Sequence, residues 1–311
     1  MLTTLIISSS IGLSIILNLF FQNYFYKKNL IDKIKDRSSH NVLALRSGGS
    51  AIAASLIIIS VSCYLLNIEL YEYSLLVPIL LLFVVGLYDD IYDVDFKLKF
   101  LFQVITAKII IDNGLIIDNF HGIFGLYDIP SIFAQIISIF VIVSIINSFN
   151  FVDGIDGLAS TIFIIFVISF EFFSSFNSDL LYLSLILVLL LIPIIYLNFS
   201  KSKKVFLGDS GSLLLGVVVS IYILHSLSSN YIIKDEFDVN KILFIISIFS
   251  YPIIDFTRVI FIRVLNKKSP FIADNNHIHH IILKQFKSHK KITLIIALSS
   301  ILLMCLIQLL F

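Results

Sequence analysis

Ten apolar runs take up most of this 311-residue chain and leave few folds open to it. They cover about residues 2 to 21, 48 to 66, 73 to 88, 98 to 112, 131 to 149, 159 to 176, 180 to 197, 211 to 229, 242 to 262 and 292 to 311. Hydrocarbon offers the backbone no hydrogen-bond partners, so each run must satisfy its own amides and carbonyls as an α-helix, with roughly 20 residues per crossing. The expected fold is all-α: a polytopic integral membrane protein with about ten transmembrane helices, forming one domain over residues 1–311. Hydrophobic residues make up 58% and charged residues only 14%, outside the range of soluble domains. The first run is longer than a signal-peptide core and lacks a small-residue cleavage pattern, so it reads as a retained span. Between runs four and five, Asn113 to Pro130 combines turn residues with alternating apolar character, which suits a small outward-facing hairpin. Cys63 and Cys305 sit inside apolar runs and offer neither a disulfide framework nor a thiolate metal site.

The basic residues orient the spans. The loops after runs one, three, seven and nine carry 18 of the 22 lysines and arginines, which makes those loops cytoplasmic and points both termini outward. Every polar cluster of note falls on that same side, so the expected site lies at the cytoplasmic face of a plasma membrane. No nucleic-acid partner is expected; the bilayer itself is the obligatory one, and a homodimer is allowed.

The most informative cluster is Asn147-Ser-Phe-Asn150-Phe-Val-Asp153-Gly-Ile-Asp156-Gly-Leu-Ala159, with four polar residues at three-residue steps directly after an apolar run. A straight helix turns about 100° per residue and would put Asn147 and Asp156 on opposite faces. Gly154 and Gly157 permit a break, so the stretch reads as a helix end re-aimed toward one site for a cation and a phosphate. Asp89, Asp90 and Asp93 end run three, and helical spacing would set all three on one face. Hard oxygen ligands beside a phosphate site favour Mg²⁺, which takes one or two carboxylates and completes its shell with water and substrate oxygens.

Phe206-Leu-Gly208-Asp209-Ser210-Gly211 opens run eight, where free amides suit a phosphate or a cap, and Asp209 reads equally as cap or ligand. Lys203 and Lys204 just upstream serve either topology or substrate contact. His277, His279 and His280 lack the i, i+4 spacing usual for zinc on a helix and suit donation to phosphate oxygens. Arg37, His40 and Arg46, beside Gly48-Gly49, could receive a second anion or face anionic lipid. Asp255 and Arg258, three apart inside run nine, read as a structural ion pair.

In this order, the DD pair, the NxxNxxDGIDGLA stretch, FLGDSGS and HIHH resemble the polyprenyl-phosphate N-acetylhexosamine-1-phosphate transferases of glycosyltransferase family 4. The similarity runs from about Asp36 to Lys291. Arg37-Ser-Ser-His40, Asp255-Phe-Thr-Arg258 and the HIHH form look like the undecaprenyl-phosphate N-acetylglucosamine-1-phosphate transferase branch. The resemblance implies transfer of an N-acetylated amino-sugar-1-phosphate from a UDP-amino-sugar to undecaprenyl phosphate, releasing UMP and starting lipid-linked glycan assembly. It implies Mg²⁺, with Mn²⁺ able to substitute, and a bacterial inner membrane. By residue it implies Asp89 or Asp90 as the group that deprotonates or positions the lipid phosphate, and Asp209 with Asn150 as metal ligands. Asn147, Asp153, Asp156, Phe206, His277, His279, His280, Arg37, His40 and Arg46 would bind substrate.

Two departures stand out. Leu43-Ala44-Leu45 replaces the family's Pro-Thr-Pro before Arg46, removing two fixed φ angles from that loop. The stretch from Asn198 to Asp209 is one residue longer than the common pattern, which weakens a nucleotide-binding role for Asn198. Two other classes compete. Intramembrane prenyl transferases also use aspartate-rich helix ends, but expect a second motif of similar form where DGIDG stands here. A transporter expects its polar groups near mid-span rather than gathered at one face.

Overall fold

A computed structural model describes residues 2–32, 44–120, 122, 125, 127–175, 178–200, 204–227, 233–234, 241–267 and 277–310. Arg37 and His40 lie outside the described residues. Among the described residues twelve α-helices run in chain order: α1 Leu2–Lys27, α2 Gly48–Leu65, α3 Leu76–Tyr92, α4 Phe96–Asp112, α5 Ser131–Val152, α6 Leu158–Phe173, α7 Leu181–Asn198, α8 Gly208–Leu227, α9 Lys241–Ile248, α10 Ser250–Leu265, α11 Ile278–Phe286 and α12 His289–Leu310. Each of the ten apolar runs is helical. Among the described residues seven helices are long and apolar enough to cross a membrane, and α9 with α10 makes an eighth if the bent pair counts as one span. α4 and α6, with 17 and 16 residues, are shorter than those seven. Run nine is also not one straight span: α9 and α10 meet at 81°. Pro252 has no N–H for the carbonyl of Ile248, so the helix restarts at Ser250 in the one turn where proline is tolerated.

The bundle is built around α8, whose apolar window is 94% buried. It packs against α3, α5 and α2. Ser212, Gly216 and Ser220 recur every four residues and keep one face of α8 small, and helices in lipid approach closely along such stripes. The crossing with α3 is tightest at Gly86, where a Cβ would lie 2.4 Å from the carbonyl oxygen of Asp209. Backbone cannot yield there, so Gly86→Ala is expected to lower stability by about 1–3 kcal/mol, read as a reduced Tm in detergent. At the periphery α1 exposes most of its surface. Ser10, Ser14, Asn18 and Gln22, four apart, are nevertheless buried, and Ser14 Oγ donates to the Leu190 carbonyl of α7 at 2.8 Å.

A small sheet was not foreseen by the all-α expectation. β1 Ile31–Asp32, β2 Ala44–Leu45 and β3 Lys204–Val205 lie in that order, with β1 antiparallel to β2 and β2 parallel to β3. Its strands are two residues each, too short to leave a periodic signal. Ala44 and Leu45 thus stand paired on both sides at the place of the missing prolines, so pairing supplies the restraint that ring closure would have given. Where a hairpin was expected, Asn119 and Asp128 form an antiparallel bridge among the described residues.

Candidate functional site

The polar clusters meet at one end of the bundle, around the start of α8. Asp90, one turn beyond Gly86 on α3, turns its carboxylate onto that start. Its Oδ1 accepts the amide of Asp209 at 2.9 Å and its Oδ2 the amide of Ser210 at 3.0 Å. Arg46 Nη1 lies 3.4 Å from Oδ1, and the Asp90 side chain is 1% exposed. Asp90 therefore caps α8 from another helix, the work a local Ser or Asp usually performs. The Asp209 carboxylate does not take that place and is 26% exposed.

Asp209 instead meets Lys99. The Lys99 ammonium on the first turns of α4 lies 2.8 Å from Asp89 Oδ2 and 3.0 Å from Asp209 Oδ2. Asp89 Oδ1 accepts the amide of Val94 at 2.6 Å, which fixes the turn into α4. Two carboxylates and one ammonium leave a net −1, an arrangement that suits a further cation or a proton. Lys99 was counted only among topology lysines; its place beside Asp95, the N-cap of α4, was the available hint that it points back along α3. Asp93 departs from the expectation of three aspartates on one face: it ends α3 at φ 52°, outside the helix and exposed.

The DGIDG stretch breaks as expected. α5 stops at Val152 and α6 starts at Leu158, with Gly157 at φ +69°. Asn150 accepts from Ser212 Oγ at 2.8 Å and so faces the α8 start. Burial, then the charges of Asp209 and Asp90, hold the Asp153 carboxyl well above the usual carboxylate range. Asp156 goes the other way. Burial would raise its pKa, but His289 and Lys204 outweigh burial and hold it below the ordinary value. Its Oδ2 lies 2.6 Å from Lys204 Nζ and 3.0 Å from His289 Nδ1, so Asp156 ties the turn to β3 and α12. Lys204 is thus an internal ion-pair partner, and its ammonium lies 5.2 Å from the ring centre of Phe206. Asn198 accepts the Gly157 amide and donates to the Val205 carbonyl at 2.6 Å, which gives it a bracing role here. Asn147 is turned aside: its amide exchanges hydrogen bonds with Gln103 of α4 at 2.8 and 3.3 Å.

The three histidines are not equivalent. His277 Nδ1 lies 2.7 Å from Asp255 Oδ2, and Asp255 also accepts the Ile278 amide at 2.7 Å. Asp255, expected to pair with Arg258, thus anchors the start of α11 instead, a contact between residues too far apart in sequence for spacing to reveal. His279 is fully buried, with Tyr251 Oη 2.9 Å from Nδ1, and burial followed by His280 holds its pKa down at about 3. Its Nε2 has no hydrogen-bond partner among the described residues and points at Gly154, where a Cβ would come within 2.7 Å. His280 keeps partial exposure on the same side. Of these three it is the one that is not buried.

The side-chain oxygens of Asp209 and Asn150, both turned to the α8 start, are of the hard type that Mg²⁺ takes. Among the described residues no three His, Cys, Asp or Glu side chains form a ready-made metal cage.

Residues 73–227 match glycosyl transferase family 4. That stretch holds the DD pair, DGIDG and GDSG; HIHH lies beyond it. Over 279 residues the chain is 30% identical to a Bacillus subtilis protein named probable undecaprenyl-phosphate N-acetylglucosaminyl 1-phosphate transferase, covering 88% of this chain and 75% of the relative. An undecaprenyl-phosphate alpha-N-acetylglucosaminyl 1-phosphate transferase of Pasteurella multocida is 33% identical over 297 residues, 91% of this chain and 79% of the relative. The protein of that name from Escherichia coli K12 is 28% identical over 304 residues, 94% of this chain and 80% of the relative.

Proposed function

The chain belongs to glycosyl transferase family 4, and from that premise we propose that it moves N-acetylglucosamine-1-phosphate from its UDP ester to undecaprenyl phosphate in a bacterial inner membrane. The observation that carries this reading is the Asp89–Lys99–Asp209 cluster beside the DGIDG turn, at the end of a bundle of apolar helices. A lipid phosphate can reach such a place from the bilayer and a nucleotide-sugar from water.

In the reaction an oxygen of the lipid phosphate attacks the phosphorus that bears the sugar. A new P–O bond forms, the P–O bond to the nucleotide phosphate breaks, and UMP leaves with that electron pair. Little covalent work falls to the protein; positioning and charge neutralisation dominate. Asp89 receives the proton of the acceptor phosphate or holds its anion in line with Lys99. Asp209 and Asn150 would hold Mg²⁺, which would supply charge neutralisation to the donor diphosphate, and Mn²⁺ has the same ligand preferences. His280 donates to the diphosphate; His277 and His279 hold the α11 start that carries it. Asp153 shapes the nucleotide side, Asp156 keeps the turn closed, and Arg46 with Phe206 borders the α8 start. Asn147 supports that surface through Gln103. Asp90 acts by capping α8. The site faces the cytoplasm, as the lysine and arginine distribution argues, with both termini outward.

The test is direct. Purified protein with Mg²⁺, undecaprenyl phosphate and UDP-N-acetylglucosamine is expected to release UMP and form a lipid diphosphate-sugar, and a panel of UDP-sugars reads the donor preference. Release of UDP in place of UMP would place the chain in a different reaction class.

A further inference from the structure

A recess of about 490 Å³ opens on the flank of the bundle where the end of α7 meets the start of α12. It is lined by Ile192, Ile195, Tyr196, Phe199, Ser200 and Lys290. From Ile192 along α7, about 9 Å to its end at Asn198, and on to Ser200, the lining passes from aliphatic side chains through two aromatic rings to a hydroxyl and an ammonium. That is the order met along a glycerophospholipid from acyl chain to phosphate. Among the described residues no carboxylate lines the recess, so its charge complement is an anion, and basic recesses between membrane helices take anionic headgroups.

The first turn of α12 relates the recess to the site. His289 and Thr293, four apart, face the DGIDG turn: His289 Nδ1 is 3.0 Å from Asp156 Oδ2, and Thr293 Oγ1 donates to the Asp156 carbonyl at 2.9 Å. Lys290, about 100° further round the helix, faces α7, with its ammonium 5.6 Å from the ring centre of Phe199. The far edge of that ring lies under Gly157, where a Cβ would come within 2.6 Å of it. Phe199 is therefore the wall between the recess and the turn.

We propose that this recess holds the headgroup of an anionic glycerophospholipid, with Lys290 on the phosphate and Ile192 and Ile195 against the acyl chains, and that the lipid braces Phe199 beneath the DGIDG turn. Only the choice of a glycerophospholipid over a polyprenyl phosphate rests on the reaction proposed above. A polyprenyl phosphate shares the headgroup chemistry, but its phosphate belongs with Asp89 and Lys99 in that reaction, and the experiment separates the two.

Full-length protein in detergent is titrated with phosphatidylglycerol and, separately, phosphatidylcholine, and bound lipid is counted by native mass spectrometry. Phosphatidylglycerol is expected to bind more tightly and to raise the Tm. Lys290→Gln should weaken that binding about fivefold, one lysine's share of attraction to an anionic lipid, and remove the Tm gain. Lys284→Gln, which deletes an exposed charge on α11 outside the recess, should change neither. Equal loss in both variants, equal binding of the two lipids, or displacement of phosphatidylglycerol by undecaprenyl phosphate would each overturn the proposal.

Discussion

Asp209→Asn is expected to lower UMP release about a thousandfold while leaving the Tm near that of the parent protein. The two halves of that expectation have separate causes. The amide of Asp209 is already held by Asp90 at 2.9 Å, so the start of α8 does not need the Asp209 side chain. Asparagine has the same shape and keeps one oxygen near Lys99. What disappears is a full negative charge in a cluster whose net −1 attracts the cation, and with it the neutralisation that phosphoryl transfer requires. UMP release measured across a Mg²⁺ series, with a thermal melt of each sample, separates loss of site from loss of fold. Activity within tenfold of the parent at saturating Mg²⁺ would take Asp209 out of the metal site.

How far the sequence discloses this arrangement depends on the range of the interaction. The spans were legible because hydrocarbon makes a single demand on every apolar run. The break after Val152 was legible because the left-handed φ at Gly157 is strained for a side chain. Convergence of DD, DGIDG, GDSG and HIHH could be argued from their shared side of the membrane. Partner choice could not. Lys99 looked like any interfacial lysine, and Lys204 like a topology marker, because a lysine's reach says nothing of which carboxylate it finds. Asp255 had Arg258 three residues away, yet His277, 22 residues on, sits 2.7 Å from it. The bend before Pro252 was written in the sequence as a proline inside an apolar run, but the 81° angle is set by what α9 and α10 pack against. The three histidines share a motif and divide by burial, which only tertiary packing determines.

The adjacent aspartates should fail in opposite ways, and this contrast tests the site geometry most severely. Asp90→Ala would strand two amides at the start of α8 and leave Arg46 without its 3.4 Å partner, next to the helix on which the bundle is built. A buried donor left unsatisfied costs about 1–3 kcal/mol, and breaking one side of a buried pair about 3–5 kcal/mol. These overlap rather than add, so a loss of about 4 kcal/mol is expected, a large part of a stability of about 5–15 kcal/mol. Asp90→Asn keeps one acceptor oxygen but turns an NH₂ toward the second amide, and should lose roughly half as much. Asp89→Asn is expected to melt close to the parent, because its remaining oxygen can still accept the Val94 amide at the turn into α4, yet to release UMP at least a hundredfold more slowly. Thermal melts and UMP release on all three variants, in one detergent and at one Mg²⁺ concentration, decide the matter. If Asp90→Ala melts with the parent, the cap from α3 does not hold α8 in place. If Asp89→Asn keeps full activity, the acceptor phosphate is handled by another group.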